Sequence, residues 1–292
     1  MPFLPAGAQA SDLIMVEGVI YAATENGCGG APNGVWAIKP AATPAGGKFP
    51  DVRSWKTGGT ASAHAPAFSE EGAMFVTVGS GTGAFADSVV SLDRATFAVK
   101  GQFKQAGADF VSSPVVFRAE NRDIVAVQRN DGQVLLLDGA APGGAPLASS
   151  AALGNSPRFR PRGLAVWQDA AEQWWIAATT STSVISWKVE VKGSSVSLNE
   201  GWKFGNLQAP LAPLVVNNLV FVLSSGDSGA KRGSAVLYAL DATSGKVLWN
   251  SGKSLTTYVP QSSAIWNSMG QVLVGAADST LYAFGMTMER HL

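Results

Sequence analysis

The 292-residue chain has one cysteine, Cys28, and two histidines, His64 and His291, so an internal disulfide is excluded and no all-Cys or all-His zinc centre can be assembled from it. Charge is scarce as well: charged residues make up 14% of the chain, and 21 Lys and Arg balance 21 Asp and Glu. No net field is available to hold a nucleic-acid backbone or an anionic membrane surface, so general nucleic-acid binding is excluded. No apolar run reaches the roughly 18 residues needed to span a bilayer, which argues against membrane insertion by a helix. The opening Met1-Pro2-Phe3-Leu4-Pro5 lacks the basic and apolar regions of a secretion signal, so any export signal is expected outside this chain. Long helical patterns are missing too. What the chain has instead is 33 Gly, 15 Pro and 46% apolar residues, enough for a large core cut by frequent turns.

Short β-rich runs recur in groups of four. Ile14 to Val16, Val19 to Ala23, Val35 to Ile38 and Val52 to Trp55 form the first group, separated by Gly, Pro and Asn. The third run is the best ruler: Trp36-Ala37-Ile38, Val90-Ser91-Leu92, Leu135-Leu136-Leu137, Ser186-Trp187, Tyr238-Ala239-Leu240 and Tyr282-Ala283-Phe284 superimpose. They recur at a period of roughly 50 residues, that of radial β-arrays. The expected fold is an all-β β-propeller of about six four-stranded antiparallel blades in one domain, 1–292. Its units run over 9–59, 60–107, 108–155, 156–206, 207–255 and 256–292. The last unit shows three runs, so Phe3 and Leu4 are expected to add its outer strand and close the array. The alternative is that the chain is the later part of a longer, eight-bladed protein.

The fifth unit explains its own residues. In Tyr238-Ala239-Leu240-Asp241-Ala242-Thr243-Ser244-Gly245-Lys246-Val247-Leu248-Trp249, Asp241 can accept backbone hydrogen bonds in the turn and Gly245 can supply a positive φ. Trp249, with Trp55, Trp202 and Phe103 at equivalent places, is expected between blades rather than in a stacking site.

This stretch resembles the pyrroloquinoline-quinone-type propeller repeat, Ala-x-Asp-x-x-Thr-Gly-x-x-x-Trp. Ser112-Ser113-Pro114-Val115 and Ser262-Ser263-Ala264-Ile265 resemble that family's innermost strand, and residues 26–36 resemble a feature of bacterial quinoprotein-like propellers. The resemblance implies a periplasmic or secreted protein. It does not imply bound quinone. The quinone-dependent dehydrogenases of the family have adjacent cysteines and a calcium site of Glu, Asn and Asp on a chain about twice as long, and Cys28 has no neighbouring Cys.

Aligning the innermost runs gives a polar ring expected at one mouth of a central channel: Ser11-Asp12, His64, Ser112-Ser113, Arg160 with Arg162, and Gln261-Ser262. Arg158, Arg160 and Arg162 alternate and so share a face. Arg160, Arg162 and Gln261 are candidate ligand-binding residues, the guanidinium pair being suited to a carboxylate or phosphoester. The competing role is pairing between blades with Asp12, Asp109 or a carbonyl. Asp12 and His64 are the candidate catalytic pair for activating water, and with Asp109 they form a candidate set for a divalent metal, calcium or zinc. Two functions follow. One is a binding or scaffold module, without quinone, for a small anionic molecule or a protein partner. The other is a hydrolase of esters, lactones or phosphotriesters at the channel mouth.

Overall fold

A computed structural model describes residues 3–40, 52–154, 163–227 and 232–285, with Asp12 described by its backbone alone. It is an all-β propeller fold. The first sheet holds β1 (Gln9–Val16), β2 (Val19–Glu25), β3 (Gly34–Ile38) and β4 (Arg53–Lys56). The second holds β5 (Ala67–Phe68), β6 (Ala73–Val78), β7 (Ser88–Asp93) and β8 (Val99–Lys104). The third holds β9 (Val115–Ala119), β10 (Arg122–Gln128), β11 (Val134–Asp138) and β12 (Ala148–Ser149). Next come β13 (Leu164–Gln168), β14 (Trp174–Thr179), β15 (Val184–Lys192) and β16 (Ser195–Phe204), and then β17 (Leu214–Val216), β18 (Leu219–Ser224), β19 (Val236–Asp241) and β20 (Val247–Asn250). The sixth sheet has β21 (Ile265–Ser268), β22 (Gln271–Gly275) and β23 (Leu281–Gly285). Within each sheet every strand pairs antiparallel with the next in sequence. The helical content of the described residues is a single 3-10 turn, Cys28–Gly30.

The chain divides into two compact units, Met1–Ala152 and Leu153–Leu292, with three sheets in each. In each unit the cores lie between successive sheets, which is why the middle strands are apolar on both faces. In β6, Met74 and Val76 pack toward Tyr21 and Val35 of the first sheet, while Phe75 packs toward Val125 and Leu137 of the third. In the second unit Trp202 and Val184 pack with Val220 and Leu240, and Leu223 and Leu237 with Val272 and Val274.

The turn expected at Asp241 forms as the residue types dictate. Asp241 Oδ1 accepts from Thr243 N at 3.1 Å, Thr243 Oγ1 at 2.8 Å and Ser244 N at 2.8 Å, and Gly245 takes φ 68°. Gly245 N donates to Asp241 O at 2.9 Å. The pairing with β20 shifts register between Ala239 and Leu240. The second sheet repeats the device, with Asp93 Oδ1 accepting from Ala95 N and Thr96 N, and a register shift between Ser91 and Leu92. There Phe97 stands where Gly245 does, at φ 61°.

Two expectations are corrected. Phe3 and Leu4 form bends rather than the outer strand of the sixth sheet, which among the described residues ends at β23. The reason is local: Ala8 N closes a turn on Pro5 O at 3.1 Å, and this turn lies so close to Gly29 that a Cβ there would stand 2.5 Å from Ala6 O. The fourth strand of the fourth sheet is also longer than Trp202 to Phe204, the last of the four β-rich runs that the sequence shows in that unit. A tight hairpin pairs Lys192 with Ser195 and carries the ladder through Val191↔Val196 to Val184↔Phe204, across Ser195-Val196-Ser197-Leu198-Asn199, which alternates polar and apolar, and Glu200-Gly201.

Candidate functional site

In the first unit the segments that lead into β5 and β9 end in Pro66 and Pro114, which set an extended entry and withhold an N–H from the strand edge. Just before them lie the residues of the expected ring. His64 N donates to Thr77 O at 3.0 Å, and Thr77 Oγ1 donates to Ser112 O at 2.6 Å. Ser11 Oγ reaches Ala63 O at 3.5 Å. The structure thus brings Ser11, His64 and Ser112 of three successive sheets onto one hydrogen-bonded arc. Ser112 is buried, and its Oγ has no hydrogen-bond partner among the described groups.

The space beside this arc is apolar. A shallow cavity of about 550 Å³, wide open to solvent, is lined by Leu13, Ile14, Pro66, Phe68, Pro114 and Val115, with Ser113 as its polar residue. At its edge Leu13 is 69% exposed and its strand neighbour Met15 68%, the opposite of what burial of apolar surface would produce in a region serving the fold alone. Alignment restricted to polar positions missed these residues. The signal available was the proline repeated before the innermost strands, Pro66, Pro114 and Pro213, each followed by apolar residues.

Asp109 sits in a different constellation. Its Oδ1 accepts from Ser80 N at 3.0 Å, and its own N–H donates to Asp87 Oδ1 at 3.1 Å. Burial pushes the Asp87 carboxyl up, but hydrogen bonds from Ser80 Oγ, Gly107 N and Asp109 N outweigh it and hold the group below the usual carboxylate range. The pair clamps the loop of residues 79–87 onto the segment entering the third sheet. In the second unit Gln261 Nε2 donates to Ala209 O at 2.7 Å and Ser225 Oγ at 2.9 Å, tying the lead-in of the sixth sheet to neighbouring loops. Arg158, Arg160 and Arg162 lie outside the described residues, as does the side chain of Asp12.

Among the described residues no three His, Cys, Asp or Glu side chains converge to hold a metal ion. Cys28 Sγ is engaged with Gln9 Oε1 at 3.3 Å. With one cysteine in the chain, the adjacent cysteines of the quinone-dependent dehydrogenases have no counterpart here.

No protein-family model matches the chain. No curated protein matches it by sequence. Solved structures do share its fold. The C-terminal WD40 domain of Sif2 is 12% identical with a TM-score of 0.59, over 98% of this chain and 69% of that one. A quinohemoprotein alcohol dehydrogenase, ADHIIG from Pseudomonas putida HK5, is 14% identical with a TM-score of 0.57, over 90% of this chain and 54% of the dehydrogenase. BamB from Moraxella catarrhalis is 12% identical with a TM-score of 0.50, over 94% of this chain and 82% of that one. At such identities the likeness is one of fold: the chain is a β-propeller.

Proposed function

We propose that the chain is a propeller binding module that receives a protein partner on the innermost strands of its first unit, through an apolar side chain entering the cavity of Leu13, Pro66, Pro114 and Val115. The observation that carries this is the exposure of Leu13 and Met15 beside an apolar cavity of about 550 Å³. Exposed contiguous apolar surface of this kind marks interaction sites. Kinship with the quinoprotein-like repeat, resting on Tyr238-Ala239-Leu240-Asp241, Gly245 and Trp249, belongs to the same reading, and with it a periplasmic or secreted setting. A small anionic ligand held by Arg160, Arg162 and Gln261 is the competing occupant.

A displayed peptide library selected on the chain, with counter-selection on Leu13→Asp, tests the reading. Enriched peptides are expected to share a large apolar residue and to lose binding in Leu13→Asp. Binders indifferent to Leu13→Asp but lost in the double variant Arg160→Ala, Arg162→Ala would favour the anion clamp. Turnover of activated esters, lactones or phosphotriesters, abolished in His64→Ala or by a chelator, would favour the hydrolase.

A further inference from the structure

Five sheets carry a fourth strand on their third; the sixth, among the described residues, presents β23 as an open edge. Its five residues, Leu281-Tyr282-Ala283-Phe284-Gly285, include no Lys and no Pro, the usual guards of such an edge. Beside it lies a cleft of about 680 Å³ between the fifth and sixth sheets, lined by Trp249, Phe284, Phe221, Val272 and Ala239, with Asn217, Asn267 and Gln271 supplying uncharged polar groups. Among the described residues no charged side chain lines it.

Comparison with the sister sheets defines what fits. Val35 pairs with Trp55 and Val89 with Phe103 at one register position of the third strand, whereas in the fifth sheet, the neighbour of the sixth, the aromatic stands two residues further along, where Ala239 pairs with Trp249. The corresponding position in the sixth sheet is Ala283, since Tyr282-Ala283-Phe284 superimposes on Tyr238-Ala239-Leu240. The aromatics of the first, second and fourth sheets are buried, whereas Trp249, which meets Phe284 at 5.6 Å, is 43% exposed. Leu248, Trp266 and Leu281 around it are exposed as well.

We propose that β23 is a docking edge for an extended, uncharged segment of a partner polypeptide, which adds as a fourth antiparallel strand with an aromatic residue opposite Ala283. The backbone groups of the edge supply affinity, and the absence of charge from edge and cleft selects against a charged strand. This surface lies in the second unit, so its fate is separable from that of the Leu13 cavity.

The probe is an acetylated and amidated peptide of residues 247–251, β20 with Ser251 appended and so uncharged, added to the full chain while amide hydrogen exchange is followed at residues 281–285. Fast exchange in the free chain and strong protection with saturating peptide are expected. Replacing Trp by Ala in the peptide, or Leu281→Lys in the chain, should weaken binding about tenfold or more; Leu281 is 59% exposed, so this variant keeps its fold. Slow exchange at 281–285 without peptide would overturn the proposal, because the edge would then be occupied by the chain itself. Protection that survives Leu281→Lys unchanged, or no protection at any peptide concentration, would overturn it too.

Discussion

Gly245 and Phe97 occupy the same turn position with opposite solutions. Gly245 takes φ 68° against the Trp202 indole, where an added Cβ would stand 2.6 Å from the ring, so both backbone and packing demand glycine. Phe97 accepts φ 61° and instead packs on the Tyr21 ring at 6.5 Å, with the Arg53 guanidinium 5.5 Å from its centroid. Gly245→Ala should therefore cost about 2 kcal/mol or more in urea unfolding, whereas Gly193→Ala, at φ 60° with open space around it, should cost about 1 kcal/mol. Equal costs would show that the indole is not held against the turn. The turn aspartates add a pH dependence. Hydrogen bonds from the Ser244 and Thr243 hydroxyls and backbone hold Asp241 below the usual carboxylate range, and those from Thr96 and Ala95 do the same for Asp93. A carboxyl depressed in the folded state stabilises it above the unfolded pKa of about 4 and loses that contribution as pH falls through the folded value. The melting temperature should thus drop on acidification below about pH 4, and less steeply in Asp241→Asn; an unchanged slope in that variant would remove Asp241 from the acid response.

At the scale of elements, the fourth strands hold neighbouring sheets together through their aromatics, and they do so unequally. Trp202 is buried and its Nε1 donates to Ala242 O at 2.9 Å in the next sheet, so Trp202→Ala should cost about 3–5 kcal/mol. Trp249 is partly open, and Trp249→Ala should cost about 1–2 kcal/mol by the same denaturant titration, in proportion to the smaller area it buries. That difference was not legible in the sequence, where both stand in the same motif; it arises from what the next sheet lays over each indole. Legible beforehand were the strands whose residues alternate or run apolar, such as β6, β15 and β19, because each is set by its own pattern. β12, two residues long, carried little signal, since its pairing is imposed by β11. The arc of Ser11, His64 and Ser112 was found by aligning repeats. The apolar wall beside it was not, because apolar residues on an inner strand look the same in sequence whether they face a core or a cavity.

For the molecule as a whole, charge is balanced and no helix among the described residues is long and apolar enough to cross a membrane. Each of its two units keeps its own inter-sheet cores. The Leu13 cavity is built wholly from the first unit. A charged residue at its exposed rim should therefore abolish recognition without unfolding the protein, and Leu13→Asp is expected to change the melting temperature little. The most direct test is calorimetric: the Kd of a library-selected peptide for the native chain, for Leu13→Asp and for the double variant Arg160→Ala, Arg162→Ala. A loss of affinity of about tenfold or more in Leu13→Asp, about 1.4 kcal/mol, with a change of less than about twofold in the arginine variant, is what an apolar receiving surface predicts. Unchanged affinity in Leu13→Asp, with binding lost in the arginine variant, would contradict it.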